Sequence, residues 1–171
     1  MRYLFDSDVL ITSARLHYHP NYCNAFWSWI TAGHEAGIFF SIDKVKSELL
    51  AGDEDPLHPW ANSPALKNFF QPSLQSLPQW RRLSQAAHDP ANSYKDSAKS
   101  KFLNVDKADA WLIAHAAQNK NFTIITNEVS RPESKREIKL PDASLWLGVP
   151  TEKIHPILRK HARDNFTFHM S

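Results

Sequence analysis

Four acidic residues lie close to the ends of apolar segments or within the helical segments near them, where their carboxylates could bind one metal ion. They are Asp6, Glu48, Asp109 and Glu128. Hard divalent cations such as Mg²⁺ and Mn²⁺ bind carboxylate oxygens and retain several waters. Such a cation activates a bound water and offsets the negative charge that develops on a phosphodiester. The residue types therefore predict metal-assisted hydrolysis of a phosphate ester, with Mg²⁺ or Mn²⁺ as the cofactor.

The elements that position these carboxylates alternate between predicted strands and predicted helices. Short apolar runs predict strands at 3–5, 38–42, 122–126 and 166–168, and helical spacing predicts helices from residue 9 and over 21–35, 43–50, 106–119, 141–147 and 152–163. Gly52 is expected just past the helix at 43–50. The alternation predicts an α/β fold with a parallel central sheet, flanked by helices in three Rossmann-like layers. Ligands bind at the C-terminal edge of such sheets, so we expect the carboxylates to converge there.

Residues 53–103 are predicted to form a helical insertion in this alternation. Six of the 11 prolines lie in this segment, so its helices must be short and interrupted. Large apolar residues in the same segment demand burial, which excludes a disordered linker. Because 171 residues suit one sizeable hydrophobic core, we predict a single domain over 1–171.

The composition excludes several classes of protein. Hydrophobic residues make up 42% of the chain and charged residues 22%, which is ordinary for a soluble globular protein. The apolar runs are far shorter than the roughly 18 residues of a membrane span. Cys23 is the single cysteine, which excludes an internal disulfide and predicts a reducing, cytoplasmic location.

Charge is unevenly distributed along the chain. Residues 1–56 carry 8 acidic and 4 basic side chains, whereas residues 95–171 carry 13 basic and 9 acidic ones. A protein that binds both a metal ion and a polyanion would show this division. Chance variation in surface charge explains it equally well, and both interpretations stay open.

The acidic motifs, taken in order, resemble the signature of the PIN domain. The stretches that carry the resemblance are Asp6 with Val9-Leu10-Ile11, Glu48 within 44–50, Asp109 within 108–114, and Thr126-Asn127-Glu128. Further stretches resemble one branch of it, the PIN-like DUF4411 family; they are Phe26-Trp27-Ser28-Trp29, 41–45, and Lys139-Leu140-Pro141-Asp142 followed by Gly148-Val149. The resemblance runs from about residue 2 to about residue 150 and is weakest over 53–100.

This resemblance implies a metal-dependent endoribonuclease, the toxin of a toxin–antitoxin pair, with RNA as substrate and a cognate antitoxin protein as partner. The metal ligands and catalytic residues that it implies are Asp6, Glu48 and Asp109, with Glu128 as a fourth acidic residue. Asp8 stands where the family more often has Asn, Thr or Ser, so it would join or perturb the metal site. Glu128 is longer than the usual Asp, and Asp142 is the alternative to it. A homodimer is left open.

A basic loop follows the fourth acidic motif. Residues 131–139 include Lys135, Arg136 and Lys139, which we expect to bind the RNA backbone near the metal site. A loop that is merely solvated would have the same composition.

Two other groups have competing structural explanations. His17, His19 and Cys23 suggest zinc, but structural zinc sites have four ligands and no second pair follows. Asp106 and Asp109 could cap the helix that they begin, as N-cap and third residue, with or without a role in metal binding.

Three other functions compete with the nuclease. The run Phe5-Asp6-Ser7-Asp8 is similar to the first motif of haloacid-dehalogenase-like phosphatases, but residues 138–148 lack the later acidic pair and Glu48 would be unexplained. A structure-specific 5′ nuclease would need more carboxylates and a DNA-binding hairpin. A PIN-like RNA-binding module without activity is the non-enzymatic alternative, and the joint presence of Asp6, Glu48 and Asp109 argues against it.

Overall fold

A five-stranded parallel sheet forms the centre of the computed structural model, which describes residues 1–51 and 56–171. Its strands are β1 (Arg2–Phe5), β2 (Phe39–Ile42), β3 (Phe70–Gln71), β4 (Phe122–Ile125) and β5 (Thr151–Glu152). They lie in the order β3-β2-β1-β4-β5, and every neighbouring pair is parallel. β1 lies third in this order and pairs with β2 on one side and β4 on the other, so it is the central strand.

Helices flank this sheet and complete a three-layer α/β arrangement. They are α1 (Ser7–Thr12), α2 (Asn24–Glu35), α3 (Asp43–Leu49), α4 (Leu57–Ala61), α5 (Leu77–Ala87), α6 (Asp96–Phe102), α7 (Asp109–Gln118), α8 (Leu140–Trp146) and α9 (Ile154–His161). After α9 a short antiparallel pair, β6 (Ala162–Arg163) and β7 (Thr167–Phe168), closes the chain apart from the main sheet. The predicted fold class, consistent with a PIN-like or Rossmann-like fold, is confirmed.

The register between β1 and β4 brings two polar segments to the same height. Arg2 pairs with Phe122 and Phe5 pairs with Ile125, so both strands end together. The N–H of Asp6 donates to the carbonyl of Ile125 at 3.0 Å, which continues the ladder by one more bond. From β1 the chain adds β2 and β3 on one side of the sheet and then β4 and β5 on the other. The point between β1 and β4 is therefore a topological switch point, where parallel sheets open a ligand crevice.

An aromatic core fills the space between α2 and the sheet. Phe39 is fully buried, and its ring contacts those of Tyr3, Phe5, Trp29, His161 and Phe168 edge to face. Gly33 of α2 lies directly against the Phe39 ring, and a Cβ at this position would overlap it. The absence of a side chain at Gly33 therefore allows α2 to pack closely on β2.

Residues 56–103, the described part of the predicted helical insertion, form short helices and one short strand. Two 3₁₀ turns and the strand β3 lie between α4 and α5, and one 3₁₀ turn lies between α5 and α6. The six prolines of this segment keep its helices short. The sequence did not predict β3, in which Phe70 pairs beside Ser41 and extends the sheet by one edge strand. Gly52, predicted to follow α3, lies outside the described residues.

Two other helix boundaries differ from the prediction. The helix predicted over 106–119 begins only at Asp109, because the N–H of Asp106 donates to the side chain of Asn104 in a preceding turn. The helix predicted over 152–163 begins at Ile154, since Thr151 and Glu152 pair with β4 as β5. Within the described parts of the chain, no helix is long and apolar enough to cross a membrane.

Candidate active site

Asp6 occupies the first position after β1, at the switch point of the sheet. Its side chain is only 2% exposed. The hydroxyl of Thr126, which directly follows β4, donates to Asp6 Oδ2 at 2.9 Å, and the hydroxyl of Ser7 lies 3.5 Å from Oδ1. The buried carboxylate of Asp6 is thus held by the Thr126 hydroxyl, which directly follows the neighbouring strand β4.

Glu48 reaches this edge from α3, although it is 41 residues away from Ser7 in sequence. The Ser7 hydroxyl donates to Glu48 Oε2 at 2.5 Å. The other oxygen, Oε1, accepts the N–H of Ala108 at 3.1 Å, just before α7 begins. Glu48 therefore links the starts of α1 and α7, and both of its oxygens are engaged.

Asp109 is the first residue of α7 and faces the same region. The helix is preceded by Ala108, which provides no side-chain cap, so the prediction of Asp106 as N-cap is wrong. The Asp109 carboxyl group accepts no hydrogen bond from the residues that the structure describes. Its pKa is shifted by burial and by neighbouring charges. A half-buried carboxylate in this position has capacity left to bind a cation.

Asp8 and Glu128 make their hydrogen bonds with the segments that follow β4. The N–H of Asn127 donates to both oxygens of Asp8, at 3.3 and 3.1 Å. Glu128 Oε2 accepts the N–H of Leu140 at 2.7 Å, and Oε1 lies 3.4 Å from the Lys139 ammonium group. Asp8 is thus tied to the segment after β4, and Glu128 is tied to the start of α8.

The carboxylates are close enough to disturb one another's ionisation. Burial raises the pKa of Asp6 well above its usual value, and the charges of Asp8 and Asp109 raise it further. Burial, followed by the charges of Glu128 and Glu48, raises the pKa of Asp109 to about 6. Burial also raises the pKa of Asp8, against the lowering effect of the Asn127 N–H. Five carboxyl groups from four segments of the chain thus share one electrostatic environment.

A cleft of about 290 Å³ opens beside this group. Three of the carboxylates line it together with three cations, and these six residues are Glu48, Asp109, Glu128, Lys101, Lys107 and Lys139. The deeply buried Asp6 does not line the cleft, but its pKa is raised by the charge of Asp109, which does. The cleft therefore combines acidic groups that suit a cation with ammonium groups that suit a phosphate.

The donor set fits a hard divalent cation in its chemistry. All the candidate ligands are carboxylate oxygens, and their mutual repulsion would be relieved by a bound cation. Among residues 1–51 and 56–171, however, no three Asp, Glu, His or Cys side chains are grouped closely enough to hold a metal ion. The hydroxyl and N–H donors that now hold Asp6 and Glu48 would have to share these oxygens with the cation.

Three candidates from the sequence lie elsewhere. Asp142 accepts hydrogen bonds from the Ser130 hydroxyl and, at 2.8 Å, from the Arg131 N–H, so it anchors the basic loop and does not line the cleft. Lys135 places its ammonium group over the Tyr94 ring, 4.9 Å from the centroid. Arg136 is exposed and does not line the cleft either. Of the three predicted RNA-binding cations, only Lys139 lies at the acidic cleft.

The sequence did not predict a role for Lys153. It follows β5, and its ammonium group donates to the carbonyls of Asn127 and Glu128 at 2.7 and 2.5 Å. It thereby holds the segment that carries Glu128 and that binds Asp8. A lysine whose partners are carbonyl groups 25 and 26 residues upstream has no signature in the sequence.

Comparison with known protein families matches residues 3–164 to the family described as "Domain of unknown function (DUF4411)". No curated protein and no solved structure matches the chain. The match confirms the DUF4411 part of the resemblance seen in the motifs. The PIN-like ribonuclease part stays a prediction.

Proposed function

The chain belongs to the DUF4411 family, and from its acidic edge we propose that it is a Mg²⁺- or Mn²⁺-dependent endoribonuclease. The observation that carries this proposal is the convergence of carboxylates at the switch point of the sheet. Asp6, Glu48 and Asp109 come from three separate elements and share one electrostatic environment. Burial of like charges opposes folding, so their accumulation at one edge indicates a ligand of opposite charge.

Each carboxylate has a part in the proposed site. Asp6, Glu48 and Asp109 would hold the cation, and Glu128 would complete the site from the far side. When bound, the cation lowers the pKa of a water molecule and neutralises charge on the phosphodiester. Ser7 and Thr126 orient the carboxylates of Glu48 and Asp6 through their hydroxyl groups. Asp8 acts mainly as an anchor, because both of its oxygens bind the Asn127 N–H.

The cations of the cleft favour a polyanionic substrate over a small neutral one. Lys101, Lys107 and Lys139 line the same cavity as the carboxylates, and ammonium groups bind phosphates as point charges. Together they support RNA as the substrate. The toxin role, with a cognate antitoxin as partner, is part of the proposal through the resemblance to PIN-like toxins alone. Growth arrest by the wild-type chain in a bacterial host, absent with Asp6→Asn, would support the toxin role.

Cleavage by purified protein tests the enzymatic proposal directly. Asp109→Asn should lower Mn²⁺-dependent cleavage of a single-stranded RNA by roughly 1,000-fold, about 4 kcal/mol in activation free energy. Asp96→Asn is a matched control, because it makes the same change on a carboxylate that is 98% exposed. It should cleave like wild type.

Three results would count against the proposal. Equal activity of Asp109→Asn and Asp96→Asn would remove Asp109 from the site. Absence of any cleavage by the wild type, with RNA still bound, would favour a binding module. Hydrolysis of p-nitrophenyl phosphate but not RNA would favour a phosphatase of the haloacid-dehalogenase type.

A further inference from the structure

Helix α6 and the basic loop 131–139 form the two sides of the cleft mouth. The N–H of Lys95, just before α6, donates to the carbonyl of Lys135 at 3.0 Å, so the two segments are joined at one end. The Lys135 ammonium group lies over the Tyr94 ring at the same end. The two sides of the mouth are therefore held at a fixed separation near this end.

A chain of ion pairs crosses the mouth. The Lys101 ammonium group, on α6, lies 3.6 Å from Glu137 Oε1, on the loop. The other oxygen of Glu137 lies 3.0 Å from the Lys139 ammonium group. Lys139 in turn lies 3.4 Å from Glu128 Oε1, one of the candidate catalytic carboxylates. Glu137 thus places its two oxygens between two cations, which is the arrangement that a phosphate group would adopt.

The ion pair between Lys101 and Glu137 is poorly suited to a purely structural role. The side chains of Lys101 and Glu137 are 78% and 44% exposed. Exposed ion pairs stabilise a fold by little, because water screens them and long side chains lose freedom. A pair that contributes little to folding is easily exchanged for another anion.

We propose that Lys101 and Lys139 form a phosphate-binding subsite for single-stranded RNA, and that Glu137 occupies it until a phosphate of the RNA displaces its carboxylate. This subsite rests on the proposed nuclease function for its substrate class, but its own test is a binding measurement. It assigns one phosphate to Lys101 and Lys139 together, and it makes Glu137 the anion that competes with that phosphate. It also explains why Lys139 is shared between Glu137 and a carboxylate of the active site.

The shape of the cleft favours a single strand. Its volume of about 290 Å³ is at the small end for ligand sites, which span roughly 300–1,000 Å³. Phe102 and Ile138 form its apolar wall, and both are almost fully buried in the core. A duplex presents its phosphates on a rigid rod, whereas a single strand bends and turns one phosphate into the mouth.

The subsite predicts opposite effects for its two exposed members. Labelled single-stranded RNA is titrated by fluorescence anisotropy in chelator, at several salt concentrations, with wild type, Lys101→Met, Glu137→Gln and Lys120→Met. Lys101→Met should raise the Kd about 3- to 10-fold and reduce the salt slope by about 0.7, the value for one lost contact to a single strand. Glu137→Gln should lower the Kd about 3-fold, because the competing carboxylate is gone.

Lys120→Met is the matched control. Lys120 is exposed and precedes β4, so it lies at the opposite edge of the sheet from the cleft. Its replacement removes the same charge and should leave the Kd within 2-fold of wild type. Both Lys101 and Glu137 are surface residues, and equal melting temperatures across the variants verify the fold.

The possible outcomes separate the subsite from the nuclease proposal. Weaker or unchanged binding by Glu137→Gln, or identical behaviour of Lys101→Met and Lys120→Met, would overturn the subsite even if the protein cleaves RNA. Tighter binding of duplex RNA or of single-stranded DNA would overturn its assignment to single-stranded RNA. Opposite shifts in Kd with no cleavage by wild type in Mn²⁺ would leave the subsite standing and remove the nuclease.

Discussion

Phe5 and Asp6 are neighbours in sequence and are both almost fully buried, yet they belong to regions of opposite character. Phe5 packs against Trp29 and Phe39 in the aromatic core. Asp6 faces Asp8 and Asp109 at the acidic edge, where burial and like charge raise its pKa. Burial of the Phe5 side chain thus favours folding, whereas burial of the Asp6 carboxylate opposes it.

The aromatic core gains stability from complementary shape. Its rings meet edge to face at centroid distances such as 5.2 Å for Phe5 and Phe39, and each such pair adds to the apolar area already buried. The acidic edge has no comparable gain, since ionised carboxylates lose hydration and repel one another. Their position is maintained by the strands and helices whose stability comes from the aromatic side.

The largest difference between the two regions should be seen in activity. If Asp6 and Asp109 serve one site, Asp6→Asn and Asp109→Asn should each lower RNA cleavage by roughly 1,000-fold, and the double variant should lose little more. Residues that act as a unit are strongly non-additive in kinetics. The measurement is kcat/KM for the four proteins in Mn²⁺. Losses that multiply to about a million-fold would mean that the two carboxylates act independently.

A smaller effect, on stability alone, is expected in the aromatic core. Gly33→Ala drives a methyl group into the fully packed Phe39 ring, which should lower the free energy of unfolding by about 1–3 kcal/mol in urea titrations. The double variant Gly33→Ala/Phe39→Leu should lose less than the sum of its single changes.

Exposed Ser28→Ala on the same helix is the control and should stay within about 0.5 kcal/mol of wild type. Cleavage per folded molecule should not change in any of these variants. A wild-type midpoint for Gly33→Ala would show that the core can yield at this contact.

The smallest effect concerns the pH dependence of stability in chelator. The pKa of Asp109 is raised to about 6 in the folded state, so folding favours its protonated form. This stabilising contribution is complete below the unfolded pKa near 4 and is lost as pH rises through about 6. Asp109→Asn should therefore match wild type near pH 4 and exceed it by on the order of 1–2 kcal/mol at pH 7.5.

Mn²⁺ should reverse this order, because it binds the folded and deprotonated cluster. In thermal melts at pH 7.5, wild type should gain clearly from Mn²⁺, while Asp6→Asn and Asp109→Asn gain little. If no cation binds this cluster, Mn²⁺ should leave the melting temperatures of wild type and of both variants unchanged, and the order seen in chelator should persist.

The sequence predicts correctly those elements of the fold that depend on one local signal. The run Tyr3-Leu4-Phe5 ends in Asp6, and period and length alone place a buried strand there with a carboxylate at its end. The parallel sheet follows from alternation of strands and helices, without knowledge of any contact. The assembly of the acidic edge was expected for the same reason, because parallel strands end at a common edge.

Sequence reasoning failed where the outcome depends on a distant partner. β3 has only two residues and precedes Pro72, so its pairing with β2 is a tertiary effect without a periodic signal. Lys153 and Glu137 are ordinary surface residues by type, and only the folded chain brings them to the segment after β4 or to Lys101. Asp142 was the predicted alternative to Glu128 as a metal ligand, but its oxygens accept hydrogen bonds from Ser130 and Arg131 in the basic loop.

The pairing of β1 with β4 also determines when the acidic edge can form during synthesis. The hydrogen bond from Thr126 to Asp6 joins residues 120 positions apart. Contacts of such sequence separation form slowly, and a chain emerges from the ribosome with its N-terminal part first. A nascent chain that already displays Asp6, Glu48 and Asp109 still has an unpaired side on β1. The acidic edge can therefore be completed only after β4 has left the ribosome.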